Sequence, residues 1–413
     1  MAVTLTIAIV LVPAWAYLIA SAAAVCRFAR HSTLSPPSRG KREGPAPSPS
    51  RSRGRVGWGL PAGRQGNGVS VLKPLHGDEP GLYENLRSFA EQDYPQQLQI
   101  VLGVNDPQDG ALPAAHALVR DLPAHDIAVV INPRLMGSNQ KVANLENMLE
   151  VARHGMLLLA DSDMRVDREY VSAVTAPLHD QQTGVVTCLY KGMSTGGKWS
   201  ELGAMQINFG FLPGAVVAEL LGIGGGCFGA TIALRRQTLE RIGGFARLRD
   251  ELADDHRIGD EVRALGLSVV LSSYIVEARV CEPSLGDLWR HELRWARTMR
   301  AMAPAGFAGS VLAHPVAIAA IAATATGFGL TPTIFLVISC VLRWATARVI
   351  ADALEVLPLK PWLLPVRDAL SFAVFVASFF GRTVFWRDQV FHVEASGRMI
   401  AGGEQVHGEE ALR

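Results

Sequence analysis

Residues 156–163 read MLLLADSD, an apolar run that ends in two carboxylates separated by one serine. The apolar part has the length and composition of a buried β-strand, so Asp161 and Asp163 stand where that strand ends. In an open α/β sheet, ligands bind just beyond the carboxyl ends of the strands. The stretch therefore predicts a strand of such a sheet, with two acidic groups facing its ligand crevice.

Three apolar runs upstream repeat this strand pattern, at residues 69–72, 99–104 and 127–131. Each is followed by polar or helix-periodic sequence. Strands that alternate with helices indicate βαβ units and a mostly parallel sheet. We therefore predict one α/β domain of the Rossmann-like type over residues 69–284.

The composition indicates a membrane protein. The 413 residues are 49% hydrophobic and only 19% charged, which is more apolar than a typical soluble enzyme. The formal net charge of +1 lacks the basic excess of nucleic-acid-binding proteins, so no nucleic-acid partner is expected. Five scattered cysteines without a CxxC pair argue against a disulfide framework and a Cys-rich zinc site.

The amino-terminal segment is predicted to be a membrane anchor. Residues 3–25 carry no charge and are numerous enough to cross about 30 Å of hydrocarbon. No basic residue precedes the run and no small-residue cleavage pattern comes after it, so we interpret residues 1–27 as a span rather than a cleaved signal peptide. Basic residues dominate residues 27–55, which predicts that the chain beyond the anchor is cytoplasmic. Residues 28–68, rich in Pro, Ser, Gly and Arg, predict a disordered basic linker.

The carboxyl-terminal part is also predicted to meet the membrane. Residues 285–309 contain an Arg-rich amphipathic helix, and residues 310–386 form a predicted membrane region. This region has two predicted spans, 311–330 and 333–350, and a shorter run, 369–381, that suits an interfacial or re-entrant helix. We expect Arg343 and Arg348 to snorkel to the cytoplasmic interface. Residues 387–413 are predicted to be a cytoplasmic tail.

Acidic residues at strand ends are candidates for nucleotide and metal binding. Asp161 and Asp163 offer the hard oxygen ligands that suit Mg²⁺ or Mn²⁺ bridging a diphosphate. Asp106 ends the strand-like run QIVLGV, where a carboxylate can accept hydrogen bonds from a base or a ribose. Turn capping explains all three residues equally well, and that alternative stays open.

Two predicted helix starts carry further candidates. Lys141 and Asn144, in SNQKVANL, are three residues apart and share a helical face, where the lysine can meet a phosphate. Asp255, in LADDHRIGDEV, begins another predicted helix, and a carboxylate beside a donor sugar can take the proton of an attacking hydroxyl. A solvated helix start and ordinary N-capping are the alternatives.

The Arg-rich helix carries the last candidates. His291, Arg294 and Trp295 occupy positions i, i+3 and i+4 and therefore share one face. A guanidinium can hold a diphosphate with two hydrogen bonds, and an indole offers a flat wall to a sugar or a lipid. The alternative is a basic amphipathic helix that lies on anionic lipid, and both can be true of different faces.

The order of these motifs resembles that of membrane-bound, inverting family 2-type glycosyltransferases. The chain is more similar still to the ceramide glucosyltransferase family, family 21, and within it to the bacterial branch associated with hopanoid biosynthesis. The resemblance runs from about residue 69 to the carboxyl end. It rests on VSVLKPLHGDEP, VNDPQD, GSNQKVANL, LLLADSDMRV, FGATIALRRQTLERIGGF, LADDHRIGDEVRALG and HELRWARTMR.

The resemblance implies a GT-A fold and a role for each candidate. His291 departs from the Gln or Arg usual at its position, and Asp254 stands where Glu is common. The implied roles are uridine binding for Asp106, proximity to the nucleotide for Lys141 and Asn144, nucleotide and metal (Mg²⁺ or Mn²⁺) binding for Asp161 and Asp163, general base for Asp255, and contact with the donor diphosphate and acceptor for His291, Arg294 and Trp295.

The resemblance also implies a reaction and a location. The expected reaction transfers N-acetylglucosamine from a UDP-sugar to a hopanoid polyol such as bacteriohopanetetrol, and ceramide with UDP-glucose is the alternative. The expected location is the bacterial inner membrane, with several spans and a cytoplasmic catalytic domain. A processive polysaccharide synthase is a further alternative, but such enzymes usually have more spans than are predicted here. A non-catalytic nucleotide-binding membrane scaffold and a transporter are the alternatives from other classes.

Overall fold

The structure is a computed structural model that describes residues 2–32, 68–223, 226–356, 360–381, 383–386, 389–393 and 399–401. Its strands form two sheets. The strands are β1 Val69–Pro74, β2 Leu98–Val104, β3 Asp126–Ile131, β4 Met156–Leu159, β5 Met164–Arg165, β6 Thr183–Ser194, β7 Ile232–Arg235, β8 Ser268–Val280, β9 Thr383–Trp386, β10 Gln389–Val393 and β11 Met399–Ala401.

The larger sheet has the strand order β3-β2-β1-β4-β7-β6-β8-β5. Strands β3, β2, β1 and β4 run parallel to their neighbours, so the four predicted strands and their parallel pairing are confirmed. The second half of the sheet is mixed. Strand β7 runs antiparallel to both β4 and β6, while β6 and β8 are parallel and β5 is antiparallel to β8.

Helices cover both faces of this sheet, and further helices, two of them long and apolar, pack beside it. The sequence predictions of helices at 285–300 and from Asp255 are confirmed. The helices are α1 Ala2–Arg30, α2 Leu82–Ala90, α3 Leu112–Asp121, α4 Gln140–Leu149, α5 Tyr170–Thr175, α6 Lys198–Gln206, α7 Leu212–Leu220, α8 Arg236–Arg241, α9 Asp254–Ala264, α10 Leu285–Met302, α11 Pro304–Gly309, α12 Pro315–Ala325, α13 Leu330–Leu354 and α14 Leu363–Ser378.

The strands are apolar on both faces because each face has its own core. Along β1, Val71 belongs to the cluster that also contains Phe89 of α2, whereas the next residue, Leu72, belongs to the cluster with Leu145 of α4. Successive side chains of a strand point to opposite faces, so a strand covered on both sides reads as a continuous apolar run. This is why the sequence pattern identified these strands.

Among the described residues, two helical segments are long and apolar enough to cross a membrane: Ile7–Arg30 of α1 and Leu330–Leu354, which is α13. They agree with two of the three predicted spans. The indole of Trp15 donates a hydrogen bond to Ser339 Oγ over 2.8 Å. Its ring also stands edge-on to Phe335, so the two apolar helices pack against each other.

The prediction of one continuous span over 311–330 is wrong. A helical segment ends at Ala313, α12 begins at Pro315, and the two axes differ by 67°. Proline has no N–H to continue a helix and disfavours the helical conformation of the residue before it. The bent pair is therefore a broken span or a re-entrant loop.

The last apolar run and its flanks also differ from expectation. The short helix is present as α14, but it begins earlier than predicted and contains buried Arg367 and Asp368. Arg343 does not snorkel, because its guanidinium is buried against Asp368. Strands β9, β10 and β11 form an antiparallel sheet after α14. Most of the predicted linker, 33–67, and the end of the predicted tail, 402–413, lie outside the described residues.

Candidate active site

Three elements bring one lysine and several carboxylates together at the carboxyl edge of the parallel strands. Lys141, in the first turn of α4, has its Nζ 2.6 Å from Asp161 Oδ1, just after β4. The same Nζ lies 3.9 Å from Oδ2 of Asp254, at the start of α9. We call Asp161, Asp163, Asp254 and Asp255 the acidic cluster. The prediction that ligand-binding groups collect at this edge agrees with the geometry.

Gly229 forms the floor on which these groups meet. Its backbone N–H donates to Asp255 Oδ2 over 2.8 Å, and the N–H of His256 donates to Oδ1 over 2.8 Å. A Cβ atom on Gly229 would lie 3.2 Å from Asp255 Oδ2 and 3.6 Å from both Asp161 Oδ2 and Lys141 Nζ. The two carboxylates and the ammonium therefore surround one small space that a side chain would fill.

Gly229→Ala is expected to lower the rate of the reaction at this site by about tenfold or more, because small displacements of reacting groups are costly. The new methyl group would crowd Asp255 Oδ2 and push the carboxylate aside. Steady-state rates measure the effect. Gly309→Ala, where the added Cβ meets nothing within 4 Å, is the matched control. Equal rates for the two variants would contradict the prediction that the space above Gly229 must stay free of a side chain.

A buried lysine, Lys73, donates a hydrogen bond to the turn that contains Asp161 and Asp163. The Nζ of Lys73, at 0% exposure, donates to the Asp161 carbonyl and lies 3.7 Å from the centre of the Phe89 ring. Burial lowers the pKa of Lys73 to about 7, although Asp163 and Asp161 oppose the shift. Burial likewise raises the pKa of Asp163 to about 7, and Asp161 and Glu79 add to the shift.

The sequence analysis missed Lys73 and Glu79. Glu79 accepts a hydrogen bond from Ser162 Oγ over 2.9 Å, so it fixes the middle residue of the same turn. A lysine is almost never fully buried unless it is paired. Its occurrence inside the apolar run VSVLKP was therefore the available signal.

Asp255 has the electrostatic environment of a base. Burial raises its pKa to about 6, and the neighbouring Asp254 adds to the shift while Lys141 opposes it. Burial also raises the pKa of Asp254. A carboxyl group with a pKa near 6 is still ionised at neutral pH and accepts a proton more readily than an ordinary aspartate.

Four aromatic side chains border the acidic cluster, and we call Tyr190, Phe211, Phe228 and Trp295 the aromatic wall. The rings of Tyr190 and Phe211 stack with centres 4.8 Å apart. Phe211 contacts Phe228 edge-on at 5.7 Å and Trp295 at 6.4 Å. Burial raises the pKa of the Tyr190 phenol, with Asp255 and Asp163 adding to the shift and Arg294 opposing it. The wall therefore lies beside both the carboxylates and Arg294.

Trp295 is the one member of the aromatic wall that the sequence analysis identified. Phe211 ends a single π-helical turn, Ile207–Phe211, between α6 and α7. Such turns frequently occur at functional sites. Phe228 is held by Thr187, whose hydroxyl exchanges hydrogen bonds with the Phe228 N–H (2.8 Å) and carbonyl (3.0 Å). The members come from separate elements, so no sequence motif joins them.

The face of α10 predicted from spacing agrees with the structure. The ring of His291 stands edge-on to Trp295 at 4.5 Å, and its Nδ1–H donates to Glu282 over 2.6 Å. Two basic residues further along the helix bind backbone carbonyls. Arg297 and Arg300 donate to the carbonyls of Phe380 and Gly381, both over 2.7 Å, and so cap the end of α14.

Two predicted site residues form hydrogen bonds to groups outside the acidic cluster. Asp106 is exposed, and its Oδ1 accepts the N–H of Gln108 over 2.8 Å, as expected for a turn cap. Asn144 is buried and donates through Nδ2 to the Gly103 carbonyl over 2.7 Å, which fastens α4 to β2. Uridine binding by Asp106 and the proximity of Asn144 to the nucleotide stay predictions.

The carboxylates fit a divalent ion that shares its ligands with a diphosphate. In the described part of the chain, no group of three or more His, Cys, Asp or Glu side chains could hold a metal ion alone. Mg²⁺ is commonly bound by one or two carboxylates together with substrate phosphates. Asp161 and Asp163 supply such a pair. Burial is the main cause of the raised pKa of Asp163, and the neighbouring carboxylates of Asp161 and Glu79 add negative charge that a bound cation would offset.

Sequence relatives support a sugar transferase. The chain is 24% identical over 355 residues to ceramide glucosyltransferase 3 of Caenorhabditis elegans, which covers 81% of this chain and 74% of the relative. It is also 24% identical over 241 residues to ceramide glucosyltransferase 1 of the same organism, covering 57% of this chain and 51% of that relative.

Two solved structures are similar at low identity. One is a mannosyltransferase from Pyrobaculum calidifontis in complex with GDP-mannose and Mn²⁺, with a TM-score of 0.47, 18% identity, and coverage of 91% of this chain and 98% of that chain. The other is glucosyl-3-phosphoglycerate synthase from Mycobacterium tuberculosis with Mn²⁺ and UDP, with a TM-score of 0.37, 16% identity, and coverage of 56% and 78%.

A family model gives the assignment. The model of glycosyl transferase family 21 matches residues 55–399, which include the whole larger sheet, the acidic cluster and the aromatic wall. Most of the chain is therefore covered by the match. The chain belongs to glycosyl transferase family 21, and it is a glycosyltransferase with a GT-A-like fold.

Proposed function

We propose that the protein transfers a sugar from a UDP-sugar to a hydroxyl group of a membrane lipid, with inversion at the anomeric carbon. One observation carries the proposal: Asp161, Lys141 and Asp255 surround the Gly229 floor beside an aromatic wall that contacts the membrane-facing helices. A donor-binding group, a base and an apolar surface are what this reaction needs in one place.

The donor is held on the side of Asp161 and Asp163. A divalent ion bound there would neutralise the diphosphate and the charge that develops on the leaving UDP. Lys141 can turn its ammonium from Asp161 to a phosphate oxygen as a point charge. The positive charge of Arg294 opposes the rise in the pKa of Tyr190, so Arg294 lies near the aromatic wall. Its guanidinium can hold the diphosphate with two parallel hydrogen bonds.

Asp255 acts as the general base. Its carboxylate takes the proton of the acceptor hydroxyl while the hydroxyl oxygen forms a bond to the anomeric carbon. The bond from that carbon to the phosphate oxygen breaks, and its electron pair leaves with UDP. The N–H groups of Gly229 and His256 orient the carboxylate, and such preorganisation keeps the base aligned with the attacking oxygen.

The acceptor is proposed to be a hopanoid polyol such as bacteriohopanetetrol, and the sugar N-acetylglucosamine, as the motif resemblance implies. Ceramide with UDP-glucose is the second candidate, which the names of the sequence relatives favour. The basic residues that come after α1 support a location on the cytoplasmic face of a bacterial inner membrane.

The test is a transfer assay with identified products. Purified protein in detergent is incubated with Mg²⁺ or Mn²⁺ and either UDP-N-acetylglucosamine or UDP-glucose, with bacteriohopanetetrol and ceramide offered separately. Mass spectrometry then identifies the lipid product. A hexosamine on the hopanoid supports the first candidate, and a hexose on ceramide supports the second. UDP binding with no adduct and no UDP release would contradict both and favour a scaffold.

The rate of transfer is expected to fall as the pH drops below about 6, because Asp255 loses its ability to accept a proton when it is protonated. Its raised pKa means that the active, ionised form is present above about 6 and is lost as the pH falls through that value. The measurement is kcat/KM between about pH 5 and 8. A flat profile over this range would refute Asp255 as the base.

A further inference from the structure

We propose that the carboxyl-terminal helices α13 and α14 position the aromatic wall through three buried cations, Lys191, Arg343 and Arg367. The inference rests on the proposed function, in which the wall borders the acceptor. It makes these cations positioning residues of the active site, although none of them belongs to the acidic cluster or the wall.

Arg343 of α13 holds the π-helical turn that presents Phe211. Its side chain is 9% exposed, and its Nε donates to both oxygens of Asp368 on α14, over 2.9 and 3.1 Å. Its Nη1 donates to the carbonyl of Phe209 over 3.2 Å. Phe209 lies two residues before Phe211 in that turn. The guanidinium therefore ties α13 and α14 to the backbone that aims Phe211 into the wall.

Arg367 of α14 holds the helix that presents Trp295. Its Nη1 and Nη2 donate to the two carboxylate oxygens of Glu292, both over 2.6 Å, and Arg367 itself is 0% exposed. A third bond runs from Nη1 to the Leu202 carbonyl of α6 over 3.1 Å. Glu292 is three residues before Trp295 on α10. One guanidinium therefore fixes both α10 and α6 relative to α14.

Lys191 connects the sheet to the end of α13. It is the residue after Tyr190 on β6, and its buried Nζ donates to the carbonyl of Leu354, the last residue of α13, over 3.3 Å. Glu277 of β8 balances its charge at 3.4 Å. A cation at a helix carboxyl terminus is favourable because the free carbonyls there carry partial negative charge.

These three contacts share one pattern. Tyr190, Phe211 and Trp295 each lie within three residues of a group that a buried cation connects to α13 or α14. Apolar packing would hold these helices together without fixing their register. Hydrogen bonds from guanidinium forks are directional, so they specify one arrangement. The position of the wall therefore depends on membrane-facing helices distant in sequence.

The test compares three charge-conserving variants: Arg343→Lys, Arg367→Lys and, as the matched control, Arg348→Lys. Arg348 lies five residues after Arg343 on the same helix, but it pairs with Asp352 on the exposed surface. Lysine keeps the charge in each case and loses the fork. We expect the two test variants to lower kcat/KM for the lipid acceptor by about 10- to 100-fold, as a small misplacement of the wall would. UDP binding by calorimetry should match the wild type in Arg343→Lys, and the control variant should match it in both assays. Arg367→Lys is expected to weaken UDP binding as well, because its partner Glu292 is on α10 with Arg294.

A second measurement does not depend on activity. Acrylamide quenching of Trp295, taken as the difference between each variant and its Trp295→Phe form, should increase in the two test variants and not in the control. Unchanged quenching together with unchanged acceptor kinetics would overturn the inference. If the wild type transfers sugar to no lipid, the proposed function fails, and the quenching comparison alone decides whether the cations position the wall. A test variant can be only partly folded. If Trp295 in its folded fraction is quenched no more than in the wild type, that result also contradicts the inference.

Discussion

Asp255→Asn is expected to lower the rate of sugar transfer by about 10²- to 10⁴-fold, the usual contribution of a general base. An amide has nearly the shape of the carboxylate and can still accept the N–H of Gly229, so the loop before β7 should keep its place. It cannot take a proton from the acceptor hydroxyl. UDP binding should be retained, because the donor lies on the side of Asp161. Single-turnover transfer and calorimetric titration of UDP measure the two effects separately.

Asp260→Asn is the matched control for this experiment. Asp260 lies on the same helix, α9, but it is exposed and contacts His256 and Arg263 on the surface. The control should transfer sugar at the wild-type rate. If Asp255→Asn also retains wild-type turnover, another group must remove the proton, and the assignment of Asp255 is wrong.

Asp161→Asn is expected to lower transfer by about 10²-fold or more, since the loss of one charge-stabilising group at the reacting centre typically has an effect of this size. The substitution removes the partner of Lys141, 2.6 Å away, and one of the two carboxylates proposed for the metal. Unlike Asp255→Asn, it should weaken binding of UDP in the presence of Mn²⁺. Titration of UDP with and without the ion therefore distinguishes the two variants.

Asp167→Asn serves as the control for Asp161→Asn, because Asp167 comes shortly after the same turn but is exposed to solvent. It should bind UDP and transfer sugar like the wild type. If Mn²⁺ strengthens UDP binding equally in Asp161→Asn and in the control, Asp161 is not a ligand of the proposed metal site.

The local signals of the sequence were sufficient for the parallel strands and for part of the site. Strands β1 to β4 could be predicted because each is apolar on both faces and is followed by a helix, and both features belong to short segments. Asp161 and Asp255 could be singled out because residues at strand ends and helix starts face the ligand edge of such a sheet. The shared face of His291 and Trp295 could be derived from helical periodicity alone.

Turn capping and site formation could not be separated from the sequence, because both place the same residue types at the same positions. The structure shows different contacts for two of these residues. Asp106 binds the backbone N–H two residues away, as a turn cap does. Asp161 instead meets Lys141, which lies 20 residues earlier in the chain, across the edge of the sheet.

The sequence by itself therefore determined the class of fold, the apolar helices α1 and α13 and the candidate base and metal ligands, since each depends on residues close together in the chain. Only the tertiary structure decided the antiparallel insertion of β7, the bend before α12 and the aromatic wall with its buried cations. The sequence predicts Arg343 to be a charge at the membrane interface, whereas the structure places Asp368 beside it. Such pairings join groups far apart in sequence, so no local pattern encodes them. Burial makes each charge costly unless its partner is in place, and only the tertiary structure supplies that partner.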